Sequence, residues 1–323
     1  LFKKYYEDCP EHDINYIYEE YSKNFNEEFS EKYDIIKCVG SGSIGQAYLV
    51  HNKNKNRNEI VKIIHPNTEI EIVYFKKTIN LLFKIPTIYK KYMENFPFDI
   101  YTFIDQFYDQ IDLIKEANNI IYFNDLYKEN KYIVIPQVYK ISKNILFMSY
   151  EEGVSFDECN FNEYQKDKLA LILNMFIKSN MLIYNFNHGD LHKGNWKIRE
   201  KDNDYQIVIY DYGFCWKMPI NTFIDIGDDF ISTFEDCDTD QDSEMVIQKL
   251  CKLLRLCLST NKDYNETIET FIREELDNIQ PWKISPSKLF KNTVKFCKIH
   301  NLLLNPILAQ CFILILTTQK IFE

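Results

Sequence analysis

Between Tyr33 and Ile64 apolar and polar positions alternate in short runs, Tyr33–Val39, Gln46–His51 and Glu59–Ile64, which is the period of strands. Gly-rich residues 40–45 separate the first two runs and polar residues 52–58 the last two, so the pattern predicts a three-stranded meander. The spacing then lengthens to that of helices over 68–94 and 98–129, where Phe103, Phe107, Ile111 and Ile114 form one stripe. Two further strands are predicted at Tyr132–Tyr139 and Ile145–Tyr150, running into Glu151, Glu152 and Gly153. Beyond Gly153 helices dominate, at about 161–185, 221–235, 242–259, 264–277 and 286–321 with breaks. Short strands at Trp196–Arg199 and Gln206–Tyr210 interrupt them. Residues 1–32 read as a helical or irregular lead-in. The predicted class is α+β: a lead-in (1–32), a small lobe (33–152) of antiparallel sheet with a helical insert over 66–110, a hinge at Gly153, and a larger, mostly helical lobe over 153–323.

Composition narrows what this frame can do. Acidic residues outnumber basic ones 48 to 38, a net charge of -10, which argues against a reader of nucleic-acid backbones. The nine cysteines include no C-x-x-C pair, so they read as reduced thiols of an intracellular compartment rather than a disulfide frame. Pro306–Leu316, the longest apolar run, falls short of the ~20 residues a spanning helix needs, so no transmembrane segment is expected. Glycine is scarce, with 8 in 323 where ordinary usage would give about 23. Each glycine is therefore expected at a point of backbone need.

Three of them lie in Gly40-Ser41-Gly42-Ser43-Ile44-Gly45, a G-x-G-x-x-G run between two strands. That is the setting of a nucleotide-covering loop, in which backbone N–H groups approach phosphate oxygens. An ordinary Gly-rich hairpin is the competing explanation. Lys62 follows in an apolar strand and should meet an anion, a nucleotide phosphate together with a helix carboxylate. Glu116 is the candidate partner and Asp112 the competitor; the alternative leaves the Lys62 ammonium at a sheet edge in water. His188-Gly189-Asp190-Leu191-His192-Lys193-Gly194-Asn195 and the later Asp211-Tyr212-Gly213 reproduce the spacing of a kinase catalytic loop and metal-binding element. In that reading Asp190 takes the proton of an attacking hydroxyl or orients water, while Asn195 and Asp211 offer the hard oxygen donors that Mg²⁺ prefers. Ordinary turn chemistry could explain any one of these motifs. Their order along the chain favours a bilobal protein-kinase-like fold. His188 and His192 read as loop supports rather than metal ligands, and Trp196 as packing beneath the loop.

As a set these residues resemble the UbiB-type, aarF-domain family of atypical protein-kinase-like proteins. Ser41-Gly42-Ser43-Ile44-Gly45-Gln46-Ala47-Tyr48 is similar to its S-I-G-Q-V loop, and Val61-Lys62-Ile63-Ile64-His65-Pro66 to its V-K-V-Q-H-P strand. Asp112-Leu113-Ile114-Lys115-Glu116-Ala117-Asn118 resembles D-x-x-x-E-A-x-N, residues 135–139 P-x-V-Y, residues 148–153 M-E-Y-x-x-G, and residues 188–195 H-A-D-x-H-P-G-N. The likeness covers roughly residues 33–323. It implies an ATP- and Mg²⁺-binding kinase or ATPase tied to isoprenoid-lipid (ubiquinone-like) metabolism. Lys62, Glu116 and Asp190 would be catalytic. Gly40, Ser41, Gly42, Ser43, Gly45, Lys62, Tyr150 and Glu151 would hold the nucleotide, and Asn195 and Asp211 the metal. A lipid or membrane-surface partner is implied as well, with an intracellular location peripheral to a membrane. Two elements depart from the family: residues 1–32 lack its K-x-G-Q motif, and its E-x-D appears as Gln110-Ile111-Asp112. Gly42 stands where many members carry Ala, which makes the loop closer to that of an ordinary kinase. A small-molecule phosphotransferase of aminoglycoside or choline kinase type, and a pseudokinase scaffold without turnover, are the alternatives.

Overall fold

Strand β3 (Arg57–Ile64) carries the logic of the small sheet in its alternation. Val61 and Ile63 are fully buried on one face, while Lys62 between them points to the other. In the computed structural model, which describes residues 11–224, 243–260, 262–276 and 286–319, β3 lies at the centre of five strands. The others are β1 (Tyr33–Ser41), β2 (Gly45–Asn52), β5 (Val138–Ile141) and β6 (Ile145–Ser149), and the order is β1-β2-β3-β6-β5, antiparallel throughout. The predicted meander is therefore present, and β6 extends it by pairing Lys62 with Leu146.

Two short helices of the lead-in, α1 (Asn15–Phe25) and α2 (Phe29–Lys32), cover the apolar face of this sheet. Ile17, Tyr21 and Phe29 have no exposed surface and join Val61, Ile63, Ile145 and Phe147 in one core. Edge-to-face packing of Tyr21 on Phe29 (5.2 Å) and on Phe147 (5.7 Å) adds to an area term of about 1.5–3 kcal/mol per buried side chain. Residues 15–32 thus build the core of the small sheet.

Several predicted runs divide where the backbone demands it. Residues 68–94 form α3 (Thr68–Leu82) and α4 (Pro86–Asn95), parted just before Pro86, which cannot continue a helix from its predecessor. Residues 98–129 form α5 (Ile100–Gln110) and α6 (Leu113–Tyr127). The proposed stripe crosses this break, and its members part company: Ile111 is buried, whereas Phe103 and Ile114 are exposed. Tyr132–Tyr139 is not one strand. Pro136 cannot donate to a ladder, and the run splits into β4 (Ile133–Val134) and β5. β4 pairs in parallel with β8 (Asp204–Ile209), which pairs with β7 (Trp196–Lys201), giving a three-stranded sheet in the order β4-β8-β7.

The chain divides into two compact units, one made of Leu1–Lys76, Ile104–Phe176 and Asp190–Cys215, the other of Lys77–Phe103, Ile177–Gly189 and Trp216–Glu323. The first holds the five-stranded and the three-stranded sheets. The second is helical: α7 (Glu163–Ser179) runs into it through a π turn at Asn180–Tyr184, and α8 (Ser243–Leu256), α9 (Asn265–Leu276), α10 (Pro286–His300) and α11 (Pro306–Gln319) follow. Leu254, Cys257, Phe296 and Cys297 are wholly buried at its centre. Burial pushes the thiols of Cys297 and Cys311 up to about 12, so they behave as small apolar side chains. The helix predicted at 221–235 is helical over 220–224, and its remainder, with Gly227, lies outside the described residues.

Candidate active site

Two of the candidate groups in the first unit, Glu116 and Asp211, meet at Lys62. Its Nζ donates to Glu116 Oε1 (3.0 Å) and Oε2 (2.9 Å) and to Asp211 Oδ1 (2.9 Å). Strand alternation aims Lys62 at α6, and the first turn of α6 delivers Glu116, only 1% exposed. Burial works against the Lys62 charge, but the carboxylates of Asp211 and Glu116 outweigh it and raise the ammonium pKa well above its usual range. Asp112, the competing acid, does something else. Its Oδ1 accepts the Ile114 N–H at 3.0 Å, capping α6 and fixing where Glu116 falls.

Asp211 sits just past β8 with φ 54°, a left-handed conformation that costs most side chains about 1–2 kcal/mol and that Asp tolerates best with Asn. The Gly213 N–H donates to its Oδ1 (3.3 Å), and a Cβ on Gly213 would stand 3.3 Å from that atom and 3.4 Å from Glu116 Oε2. Asn119, one turn along α6 from Glu116, donates to the Tyr212 carbonyl at 2.9 Å. One helix therefore positions both the lysine's partner and the Asp211 turn.

The catalytic-loop candidates lie on the same hairpin. The β7–β8 register Trp196↔Ile209 continues into a bond from the Tyr210 N–H to the Asn195 carbonyl (2.8 Å), which brings the ends bearing Asn195 and Asp211 side by side. Asn195 Nδ2 donates to the Asp190 carbonyl (2.8 Å), committing its amide nitrogen and orienting its oxygen the other way. Asp190 itself is more than half exposed, with His192 Nε2 3.6 Å from its Oδ2. His192 Nδ1 accepts the Gly194 N–H (3.0 Å), so this histidine supports the loop as expected, and Trp196 beneath it is fully buried.

The glycine loop closes with a bond from the Gly42 N–H to the Gly45 carbonyl at 3.0 Å. Gly45 is needed for close approach, since a Cβ there would lie 2.5 Å from the Ile63 carbonyl oxygen, whereas a Cβ on Gly40 would meet nothing within 4 Å. Ser41 Oγ is buried without a hydrogen-bond partner, and Ser43 lies at the loop's tip. After β6, Tyr150 leads to Glu151, whose carboxylate takes Ser149 Oγ and Arg199 (both 2.8 Å) and whose carbonyl accepts the Tyr210 hydroxyl (2.7 Å). Glu151 thus ties the linker to β7 and β8. Gly153 lies against β7, where a Cβ would meet that of Lys197 at 2.8 Å. A cleft of about 560 Å³ opens beside Glu151, Arg199 and Lys131, away from Lys62, Asp190 and Asp211.

Among the described residues no three His, Cys, Asp or Glu side chains group into a metal site. A Mg²⁺ site of the kinase sort needs less from the protein, one carboxylate and one amide oxygen, with phosphate and water completing the shell. Asp211 and the oriented Asn195 oxygen fit that requirement. Sequence reasoning missed the contact of Lys62 with Asp211, the Arg199–Glu151 tie and a histidine pair behind the glycine loop. None has a local spacing signature, because their partners are 48 or more residues apart.

A lysine held by a helix glutamate and by the aspartate of a D-x-G turn, with Asn195 on the hairpin end next to that turn, is the arrangement a kinase-like site would require, and the fold is α+β and kinase-like. The chain belongs to the ABC1 atypical kinase-like domain family, whose model matches residues 4–246. It is 27% identical over 213 residues to a probable serine/threonine-protein kinase, abkC, of Dictyostelium discoideum, covering 63% of this chain and 30% of the relative. It is 25% identical over 173 residues to the probable protein kinase UbiB of Blochmanniella pennsylvanica, covering 50% and 31%. The matched part is thus about a third of each relative's length. Among solved structures, the Rv3197–erythromycin complex from Mycobacterium tuberculosis shares the fold, with a TM-score of 0.57 at 16% identity over 93% of this chain and 82% of that one. No helix of the described residues is long and apolar enough to cross a membrane.

Proposed function

We propose that the protein is an ATP- and Mg²⁺-dependent phosphotransferase or ATPase of the UbiB type, acting in isoprenoid-lipid metabolism. The observation that carries the reading is Lys62 clamped between Glu116 and Asp211 at 2.9–3.0 Å. Such a lysine is kept charged and aimed, ready to meet the α- and β-phosphates while Glu116 keeps hold of it. Asp211 and Asn195 would hold Mg²⁺, which neutralises charge on the phosphates. The loop from Gly40 to Gly45, with Ser41 and Ser43, covers the phosphates, and Tyr150 and Glu151 border the base. Asp190, exposed and adjacent to Asn195, accepts the proton of the attacking hydroxyl or orients water.

Asp211→Asn tests this directly. The amide tolerates the left-handed turn but brings no charge to Mg²⁺, so thermal-shift titration should show Mg²⁺-dependent ATP binding lost while the unliganded protein stays folded. A variant that binds Mg·ATP like wild type would remove Asp211 from the metal site. Labelled-ATP product analysis with and without anionic liposomes then separates phosphate release, protein phosphorylation and small-molecule phosphorylation.

A further inference from the structure

The glycine loop is held from behind by His65, the residue that follows β3. The Gly42 carbonyl accepts from His65 Nε2 and the Ile44 carbonyl from the His65 backbone N–H, both at 2.9 Å. In a trans peptide the C=O and the following N–H point to opposite sides. Drawing the Gly42 and Ile44 carbonyls onto His65 therefore turns the Ser43 and Gly45 N–H groups to the other side of the loop, where a phosphate could meet them.

The His65 ring is itself braced. Its Nδ1 lies 2.9 Å from Nδ1 of His12, which precedes α1. His12 Nε2 is 3.5 Å from the Tyr48 hydroxyl, its backbone N–H donates to buried Gln46 Oε1 (3.1 Å), and Tyr16 packs edge-on at 4.9 Å. A carbonyl can only accept, so His65 Nε2 carries a proton, and the two facing Nδ1 atoms share one more. Burial first, and His65 next, hold the His12 imidazole down to about 4, against the opposing carboxylates of Glu11 and Asp13. The chain of contacts Tyr48–His12–His65–Gly42 is thus intact at neutral pH.

We propose that His65 is a positioning residue for the glycine loop and that His12, 53 positions earlier, is its brace, so that the segment before α1 sets how the loop presents its N–H groups to a nucleotide. This rests on the nucleotide reading above, and the experiment separates the two. His65→Ala, His65→Gln and His12→Ala are made in the full chain. Hydrogen exchange is followed without nucleotide, and turnover with Mg·ATP. Exchange over residues 40–46 should quicken in His65→Ala and His12→Ala, with β2 and β3 around Val50 and Val61 still protected. His65→Gln should restore protection, because its amide N–H can reach the Gly42 carbonyl. KM for ATP should rise about 3–10-fold, the worth of one hydrogen bond, with kcat within about twofold. His12→Ala should add nothing once His65 is Ala.

Unchanged loop exchange in His12→Ala, the milder variant, overturns the proposal, as does quickened exchange with KM unmoved. If wild type binds no Mg·ATP yet the loop responds, the nucleotide reading fails and the brace stands. If His65→Ala loses protection throughout, His12→Ala and the glutamine rescue decide.

Discussion

Replacing Lys62 with Met measures what holds Glu116 in the core. Glu116 is 1% exposed and Lys62 17%, so the pair sits where Coulomb attraction at 3 Å is worth about 5–6 kcal/mol at an effective dielectric near 20. Removing the lysine leaves a buried carboxylate without its cation, which typically costs about 3–5 kcal/mol. Glu116→Gln should cost only about 1–2 kcal/mol, because the amide oxygen still accepts from Nζ and Asp211 still neutralises the ammonium. Lys62→Met combined with Glu116→Leu removes both charges and should recover most of the loss.

The deficit also depends on pH. Burial raises the Glu116 pKa even with Lys62 opposing it, and without Lys62 it rises further. A carboxyl whose folded pKa lies above its unfolded value is stabilising when protonated, and that stability drains away as pH rises through the folded pKa. The Lys62→Met deficit should therefore be smaller at pH 5 than at pH 7.5. Urea unfolding followed by circular dichroism at both values reads this out. Equal costs for Lys62→Met and Glu116→Gln, or a deficit that does not shrink on acidification, would refute the picture of a buried charge held by the lysine.

Two other perturbations test the frame around the site. Gly45→Ala should cost about 1–3 kcal/mol, since the added Cβ meets the Ile63 backbone oxygen at 2.5 Å, whereas Gly40→Ala should stay within about 0.5 kcal/mol; thermal denaturation of the pair checks the contrast. His12, neutral in the folded state down to about 4, should make wild type lose stability as pH falls from about 6.5 toward 4, because the unfolded chain takes up a proton the folded one refuses. His12→Ala should flatten that part of the stability–pH curve, measured by urea midpoints.

The parts of the fold that could be read from sequence are those written in local period and local motif. The meander was visible because Val61 and Ile63 alternate with Lys62, and the Lys62–Glu116 contact because both lie in motifs whose order along the chain is diagnostic. Helix breaks were less legible. The stripe from Phe103 to Ile114 keeps helical spacing across Ile111 and Asp112, yet Asp112 starts a new helix, and capping overrides periodicity there. The division of Tyr132–Tyr139 between two sheets was signalled by Pro136 alone. His12 could not be found at all, since nothing near it in sequence marks a contact with His65.

Glycine scarcity points further than position alone implies. No described glycine has a positive φ; the left-handed positions are Asn26, Asn56, Asn67, Asn185, Asn203 and Asn301, with Asp202 and Asp211. Asn and Asp are the side chains that tolerate this conformation best, so an asparagine-rich chain can turn its helix ends and hairpins without glycine. Asn26 and Asn185 do so where α1 and the π turn stop. What asparagine cannot supply is the absence of a Cβ. That need survives at Gly45 beneath the Ile63 carbonyl and at Gly153 against Lys197, one in the loop and one in the linker. At Gly45 and Gly153 glycine serves close approach rather than turning. Asp211, placed by its own left-handed turn against Lys62, shows the same substitution at the centre of the site: a residue that bends the backbone as glycine would and brings a carboxylate with it.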